Sequence, residues 1–301
     1  MPNTETIRVP HLGGIDVAYQ MPREYDSTKP TVVLVNSFIT GSELFRPQYN
    51  DKRLTDNMNL LSIEPLGHGE TRTSREYWTY WDSVEMNFQV LDILGIDKAF
   101  ILGSSQGGWI AVMMALLRPD KILGIILLGT SLDSESARSR QLGCWDGPGL
   151  LCPFMKQWEV DPQTADFQLS DAFCDILISA SFDKHSMTAE HDFWSAVIKM
   201  HYQGDEGFRR IRMATLNLLE RESLHSRLSE VQCPVLWLQG AADAIYSIAN
   251  AVEEIALFTR SPDARLEVVD GGTQLLNSTH PETVDKDLLE FVNRFKNDIV
   301  W

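Results

Sequence analysis

Between residues 31 and 131, four short and nearly uninterrupted apolar runs alternate with two stretches of helical periodicity, and few architectures accept that pattern. The runs at 32–35, 60–63, 99–102 and 122–128 read as strands buried on both faces. Between them, 80–94 and 107–117 repeat apolar residues at helix spacing, and Arg118-Pro119-Asp120 stops the second. Buried strands joined by crossover helices predict an α/β fold, a mostly parallel central sheet covered by helices on both faces. The pattern resumes late, with strands at 235–238 and 266–269 and helices over 248–258 and 281–295.

From 133 to 228 the strand signal vanishes, while Trp145, Phe154, Trp158, Phe193, Trp194, Tyr202 and Phe208 punctuate helical stretches. The expected organisation is one core, 1–132 and 229–301, interrupted by a helical cap over 133–228. Gly143, Gly147-Pro148-Gly149 and Pro153 predict that the start of the cap is loop-rich and mobile. A hydrophobic share of 44% against 23% charged residues excludes a disordered chain. A net charge of −16 opposes phosphate backbones and anionic lipid, so neither nucleic acid nor a membrane is expected as a partner. The longest apolar stretches, 110–117 and 122–128, are too short to span a bilayer. The cysteines Cys144, Cys152, Cys174 and Cys233 form no C-x-x-C pair and read as reduced thiols. The first residues resemble no secretory signal and the last none of the Ser-Lys-Leu type, so a cytoplasmic protein is expected.

The sharpest chemical signal is Gly103-Ser104-Ser105-Gln106-Gly107, a G-x-S-x-G sequence directly after a predicted strand and directly before a predicted helix. A serine at the middle of such a turn is forced into a strained conformation at a helix N-terminus, where negative charge is stabilised. That makes Ser105 the candidate nucleophile; the bland reading is a serine-containing loop with incidental glycines.

On these residues the chain resembles the α/β-hydrolase superfamily, with the cap the least similar part. By that resemblance, Asn36-Ser37-Phe38-Ile39-Thr40-Gly41 stands where members carry the oxyanion-hole loop, and the backbone N–H groups of Phe38 and Gln106 would be its donors. Glu64-Pro65-Leu66-Gly67-His68-Gly69-Glu70-Thr71 is similar to a conserved turn of the superfamily, which makes His68 a turn residue. Gly240-Ala241-Ala242-Asp243 follows a strand as the triad acid does, and Asp133 occupies the other position where some members carry it. The stretches Val35–Phe38 and 103–108 are also similar to α/β-hydrolases of fungal secondary metabolism, including those of toxin pathways.

The departure comes at the base. Counting back from His280-Pro281-Glu282, the position of the superfamily's histidine holds Gln274. An amide can bridge Ser105 and Asp243 by hydrogen bonds, but it takes no proton near neutral pH. His280 falls in a Thr279-x-x-Glu282 capping-box pattern, and the cap histidines His185, His191, His201 and His225 sit singly on predicted helices, so none is a clear replacement. No metal-ligand spacing and no nucleotide-binding glycine motif is present, and no cofactor is expected. An aromatic cap with Met155, Met187 and Met200, together with Phe38 and Trp109 near the nucleophile, predicts an apolar pocket. The expected function is a serine hydrolase scaffold for a small to medium apolar ester, thioester or lactone, with hydrolysis impaired by Gln274, whether natural or introduced. The alternative is a ligand-binding protein, cyclase or isomerase using the same pocket.

Overall fold

A nine-stranded sheet forms the centre of the computed structural model of the chain, which describes residues 2–160, 165–182 and 188–296. Strands β1 (Glu5–Val9), β2 (Ile15–Gln20), β3 (Thr31–Val35), β4 (Asn59–Ile63), β5 (Arg72–Thr73), β6 (Ala99–Ser104), β7 (Ile122–Leu128), β8 (Val235–Gly240) and β9 (Ala264–Val269) follow in sequence. Their order across the sheet is β1-β2-β4-β3-β6-β7-β8-β9, with β5 paired to β2. From β4 to β9 every pairing is parallel; β1, β2 and β5 make the antiparallel edge. The edge strand β1 is largely exposed, and β2 beside it, though buried, carries Asp16 and Gln20, so neither shows the continuous apolar run of the central strands.

Alternate residues of the central strands feed two separate cores, as the two-residue period of a strand requires. Val32, Leu34, Phe100, Leu102, Ile126 and Leu128 pack on one face with Leu288 and Phe291 of the helix Pro281–Phe295. Val33, Val35, Ile101, Ile125 and Leu127 pack on the other with Val84 of the helix Tyr80–Ile93 and Ile110 of the helix Gln106–Leu117. Both faces are dry, which is why these strands read as unbroken apolar runs.

Between β7 and β8 the described residues of the insertion form the α-helices Ala137–Gln141, Gly147–Val160, Asp171–Ser181, Thr188–His201 and Gly204–Glu220. Leu151, Trp158, Phe173 and Trp194 of this insertion join the same apolar cluster as the first sheet face. The expected loop-rich start holds for 133–136 and 142–146, which flank the short helix Ala137–Gln141, but not beyond: Gly147–Val160 is one helix with Pro153 inside it. Gly147, Pro148 and Gly149 lie in its first turn, where missing N–H groups cost little, and the Gly149 N–H is taken by Asp146 Oδ1 at 3.2 Å. Burial of Leu151, Met155 and Trp158, at about 2 kcal/mol each, offsets the roughly 3 kcal/mol proline costs inside a helix. Among the described residues no helix is long and apolar enough to cross a membrane, and the four cysteines are unbridged.

Candidate active site

Strand β6 ends at Ser104 and the helix Gln106–Leu117 begins two residues on, so Ser105 makes the entire turn, at φ 52° and ψ −116°. A left-handed φ on a non-glycine residue costs on the order of 1–3 kcal/mol and persists only where the surroundings fix it. Here the Ser105 N–H donates to Leu128 O at 2.9 Å, and Thr130 Oγ1 donates to Ser105 O at 2.8 Å. The flanking glycines are compulsory: a Cβ on Gly103 would lie 2.1 Å from Gly107 O, and one on Gly107 would lie 2.1 Å from Val35 O.

Facing this turn is the loop after β3. Asn36 Nδ2 donates to Ser37 O at 3.0 Å and to Thr40 O at 2.6 Å, and Thr40 Oγ1 donates to Ser37 O at 2.9 Å, which fixes the segment carrying Phe38. The backbone N–H groups of Phe38 and Gln106 find no protein acceptor among the described residues. The Gln106 side chain is itself held: Tyr80 Oη donates to its Oε1 at 3.0 Å, and its Nε2 lies 2.9 Å from His68 Nε2. His68 Nδ1 in turn donates to Leu66 O at 3.0 Å. Burial pulls the His68 imidazole down to about 4, with the charges of Arg210 and His201 adding to it against the Leu66 carbonyl, so the ring is neutral near pH 7. His68 thus sits in its turn and steadies Gln106, a link that spacing in the sequence gave no sign of.

Ser105 lines a cavity of about 20 Å³, close to the room one water needs. Phe38, Ile39, Ile245 and Tyr246 form its walls on the sheet side, and Trp145, Leu177 and Leu218 close it from the insertion. Ser37 and Ser181 complete the lining, which holds no charged side chain among the described residues. Of the methionines expected at the cavity's mouth, neither described one lines it: Met155 is buried in the insertion's packing and Met200 is 54% exposed, while Met187 lies outside the described residues. Trp109 belongs to the opposite core, with the Arg221 guanidinium 4.6 Å from its ring. Two larger grooves, about 310 and 260 Å³, lie along the helix Gly204–Glu220 and do not reach Ser105.

Gly129, between the two residues that hold the Ser105 backbone, is also where the other candidates meet. A Cβ there would lie 3.3 Å from Asp243 Oδ2 and 3.3 Å from Gln274 Oε1. Asp243 follows β8; its Oδ1 accepts the N–H groups of Ile245 at 2.8 Å and Tyr246 at 3.0 Å, and its Oδ2 accepts Gln239 Nε2 at 2.8 Å. Burial pushes its carboxyl up to about 6 despite those three donors. Gln274 is 1% exposed and does not form the bridge its amide permits: Nε2 donates to Gly129 O at 2.8 Å, and Oε1 has no partner among the described residues. The reason is geometric, since the short turn at Gly129 presents its carbonyl to the amide. Asp133 lies elsewhere, its Oδ2 accepting the Ser136 hydroxyl at the start of the helix Ala137–Gln141.

No described histidine hydrogen-bonds Ser105. His191 pairs with Asp175 at 3.0 Å, His201 lies 3.4 Å from Glu43, and His225 lies 2.9 Å from Glu254. His185 is outside the described residues. His280 is itself the N-cap of Pro281–Phe295, so the capping box expected at Thr279 does not form; Thr279 instead ends the short helix Leu276–Thr279. Among the described residues no group of three or more His, Cys, Asp or Glu side chains is arranged to hold a metal ion.

A family model described as the alpha/beta hydrolase fold matches residues 30–146. The chain is 23% identical over 286 residues to a putative 2-succinyl-6-hydroxy-2,4-cyclohexadiene-1-carboxylate synthase of Bacillus subtilis, covering 92% of this chain and 95% of that one. It is 22% identical over 237 residues to the monoacylglycerol lipase abhd6-B of Xenopus laevis, covering 74% of this chain but only 64% of the lipase's length. Its structure superposes on a thermophilic esterase from Thermogutta terrifontis with a TM-score of 0.77 at 18% identity, over 97% of this chain and 99% of the other. The strand order, the serine turn between β6 and its helix and these similarities together assign the chain the α/β-hydrolase fold.

Proposed function

We propose that the chain is a serine hydrolase scaffold whose pocket takes a small, neutral, apolar ester, thioester or lactone, and whose turnover is impaired because Gln274 stands in the seat of the general base. In this reading Ser105 Oγ is the nucleophile, the Phe38 and Gln106 N–H groups receive the oxyanion, and Asp243 would orient a base were one present. The insertion is a cap that closes over the reacting centre. The observation that carries the reading is Ser105 at φ 52° on a cavity wall, with an acid and a buried amide meeting at Gly129 behind it. The lining, uncharged among the described residues, supports a neutral guest, and the lipase and esterase similarities support acyl chemistry.

Loss of the triad histidine costs on the order of 10⁶ in turnover, about 8 kcal/mol of barrier, whereas the oxyanion hole and binding retain roughly 10³–10⁴ over water. Restoring an imidazole beside Asp243 therefore has a large expected effect. Gln274→His is expected to raise the rate of fluorophosphonate labelling at Ser105, and the hydrolysis of p-nitrophenyl acetate, by at least about 10²-fold. Equal labelling of the two chains would sink the assignment of Ser105.

A second reading, a binding protein or a cyclase or isomerase that never forms an acyl-enzyme, draws on the similarity to the Bacillus synthase and on the Gln274 amide being engaged with Gly129. It requires that Ser105→Ala leave function intact, and tight binding of an apolar ligand to that variant distinguishes it.

A further inference from the structure

The two junctions where the insertion leaves and rejoins the sheet are tied by a buried ion pair. Arg221, directly after the helix Gly204–Glu220, donates through Nη2 to Glu135 Oε1 at 2.7 Å, and the two side chains are 3% and 4% exposed. Nearby, the Leu224 N–H donates to Leu132 O at 2.9 Å, so backbone and side chains close the same hinge. The pair also has three further contacts, each on a residue of the Ser105 cavity. Arg221 Nη2 donates to Tyr246 Oη at 3.2 Å, Arg221 Nη1 donates to Leu218 O, and Trp145 Nε1 donates to the same Glu135 Oε1 at 3.1 Å. Trp145 is pinned a second time by its N–H, which donates to Ile245 O at 2.9 Å. Stacked on the Trp109 ring at 4.6 Å, the guanidinium is left little freedom.

Trp145, Leu218 and Tyr246 are walls of the cavity, and with them in place it holds about 20 Å³. We propose, resting on the reading of this cavity as the acyl site, that the Glu135–Arg221 pair is a positioning device that sets guest length. By holding these three walls it restricts the bound acyl chain or ring to a short one. Neither residue touches the reacting atoms; the pair acts through the walls it holds. An isolated charge would be costly to bury, so the pair is retained as a unit, and its fork geometry is what a lysine cannot copy.

The test compares Arg221→Lys, Glu135→Gln and the double variant Glu135→Leu with Arg221→Met, which leaves no unpaired buried charge. In a Gln274→His background, kcat and KM are measured for p-nitrophenyl acetate, butyrate and octanoate. In the unsubstituted Gln274 background, displacement of the neutral dye N-phenyl-1-naphthylamine by 1-butanol, 1-hexanol and 1-octanol is measured. Arg221→Lys is expected to keep the melting temperature close to that of its parent while raising the octanoate-to-acetate ratio of kcat/KM about tenfold, through KM. The displacement series shifts toward the longer alcohols in step. A purely structural role would lower the melting temperature and depress all three esters equally, with the ratio unmoved, and that result overturns the proposal. If Gln274→His turns over no ester, the nucleophile reading fails, and the displacement series decides alone: a shift toward longer alcohols upholds the positioning role, and an unchanged order overturns it.

Discussion

At the scale of single residues, the site is fixed by close approach. Gly107 passes so near Val35 O that any side chain must push β3 away from the serine turn. Gly107→Ala is accordingly expected to lower stability by about 3 kcal/mol or more, read as a fall in melting temperature, because the clash is with backbone and cannot be relieved by a rotamer. A melting temperature within a degree of the parent's would show that the turn yields more easily than its geometry implies. The position of Ser105 was legible in the sequence, because a strand followed at once by G-x-S-x-G leaves one place for the serine, and that of Asp243 because it follows a strand end. What sequence missed is the second layer. His68 meets Gln106 across 38 positions and Glu135 meets Arg221 across 86, and no local spacing encodes contacts of that separation.

At the scale of elements, periodicity located the six parallel strands and the helices Tyr80–Ile93, Gln106–Leu117 and Pro281–Phe295 to within a few residues; for β3, β4, β6, β7 and β8, burial on both faces removes polar interruptions. It failed where tertiary packing overrides local preference. Pro153 was expected to break its segment, yet the helix Gly147–Val160 continues through it because Leu151, Met155 and Trp158 bury one face. Proline still forfeits a hydrogen bond there. Pro153→Ala is expected to stabilise the protein by about 1–3 kcal/mol, seen as a rise in the denaturation midpoint at constant slope. Destabilisation instead would mean that the proline shapes a bend the insertion needs. The strands β1 and β2 went unread because polar residues interrupt them, Glu5, Thr6 and Arg8 on the exposed edge strand and Asp16 and Gln20 on its neighbour.

At the scale of the whole molecule, acidity and burial meet at Asp285, which joins the helix Pro281–Phe295 to the segment Arg46–Asn50 through Gln48 Nε2 at 2.7 Å. Burial pushes its carboxyl up to about 7, opposed by the Gln48 amide and reinforced by neighbouring Asp51. A carboxyl raised above its unfolded value of 3.8 stabilises the fold fully below about pH 4, and that contribution is lost as the pH climbs through about 7. Asp243, raised to about 6, adds a loss of the same sign. Asp285→Asn keeps an acceptor for Gln48 and cannot ionise, so its stability relative to the parent is expected to improve between pH 5 and pH 8 in urea titrations. A difference that stays constant over that range would contradict the assignment.

Gln274 rests on the Gly129 carbonyl, with the Asp243 carboxyl approaching the same glycine. Codons for glutamine and histidine differ only in the third base. The gene therefore stands one point mutation from encoding an imidazole at this spot, and on the proposed reading a randomly mutagenised library plated on a chromogenic ester is expected to yield that variant before any other gain of activity.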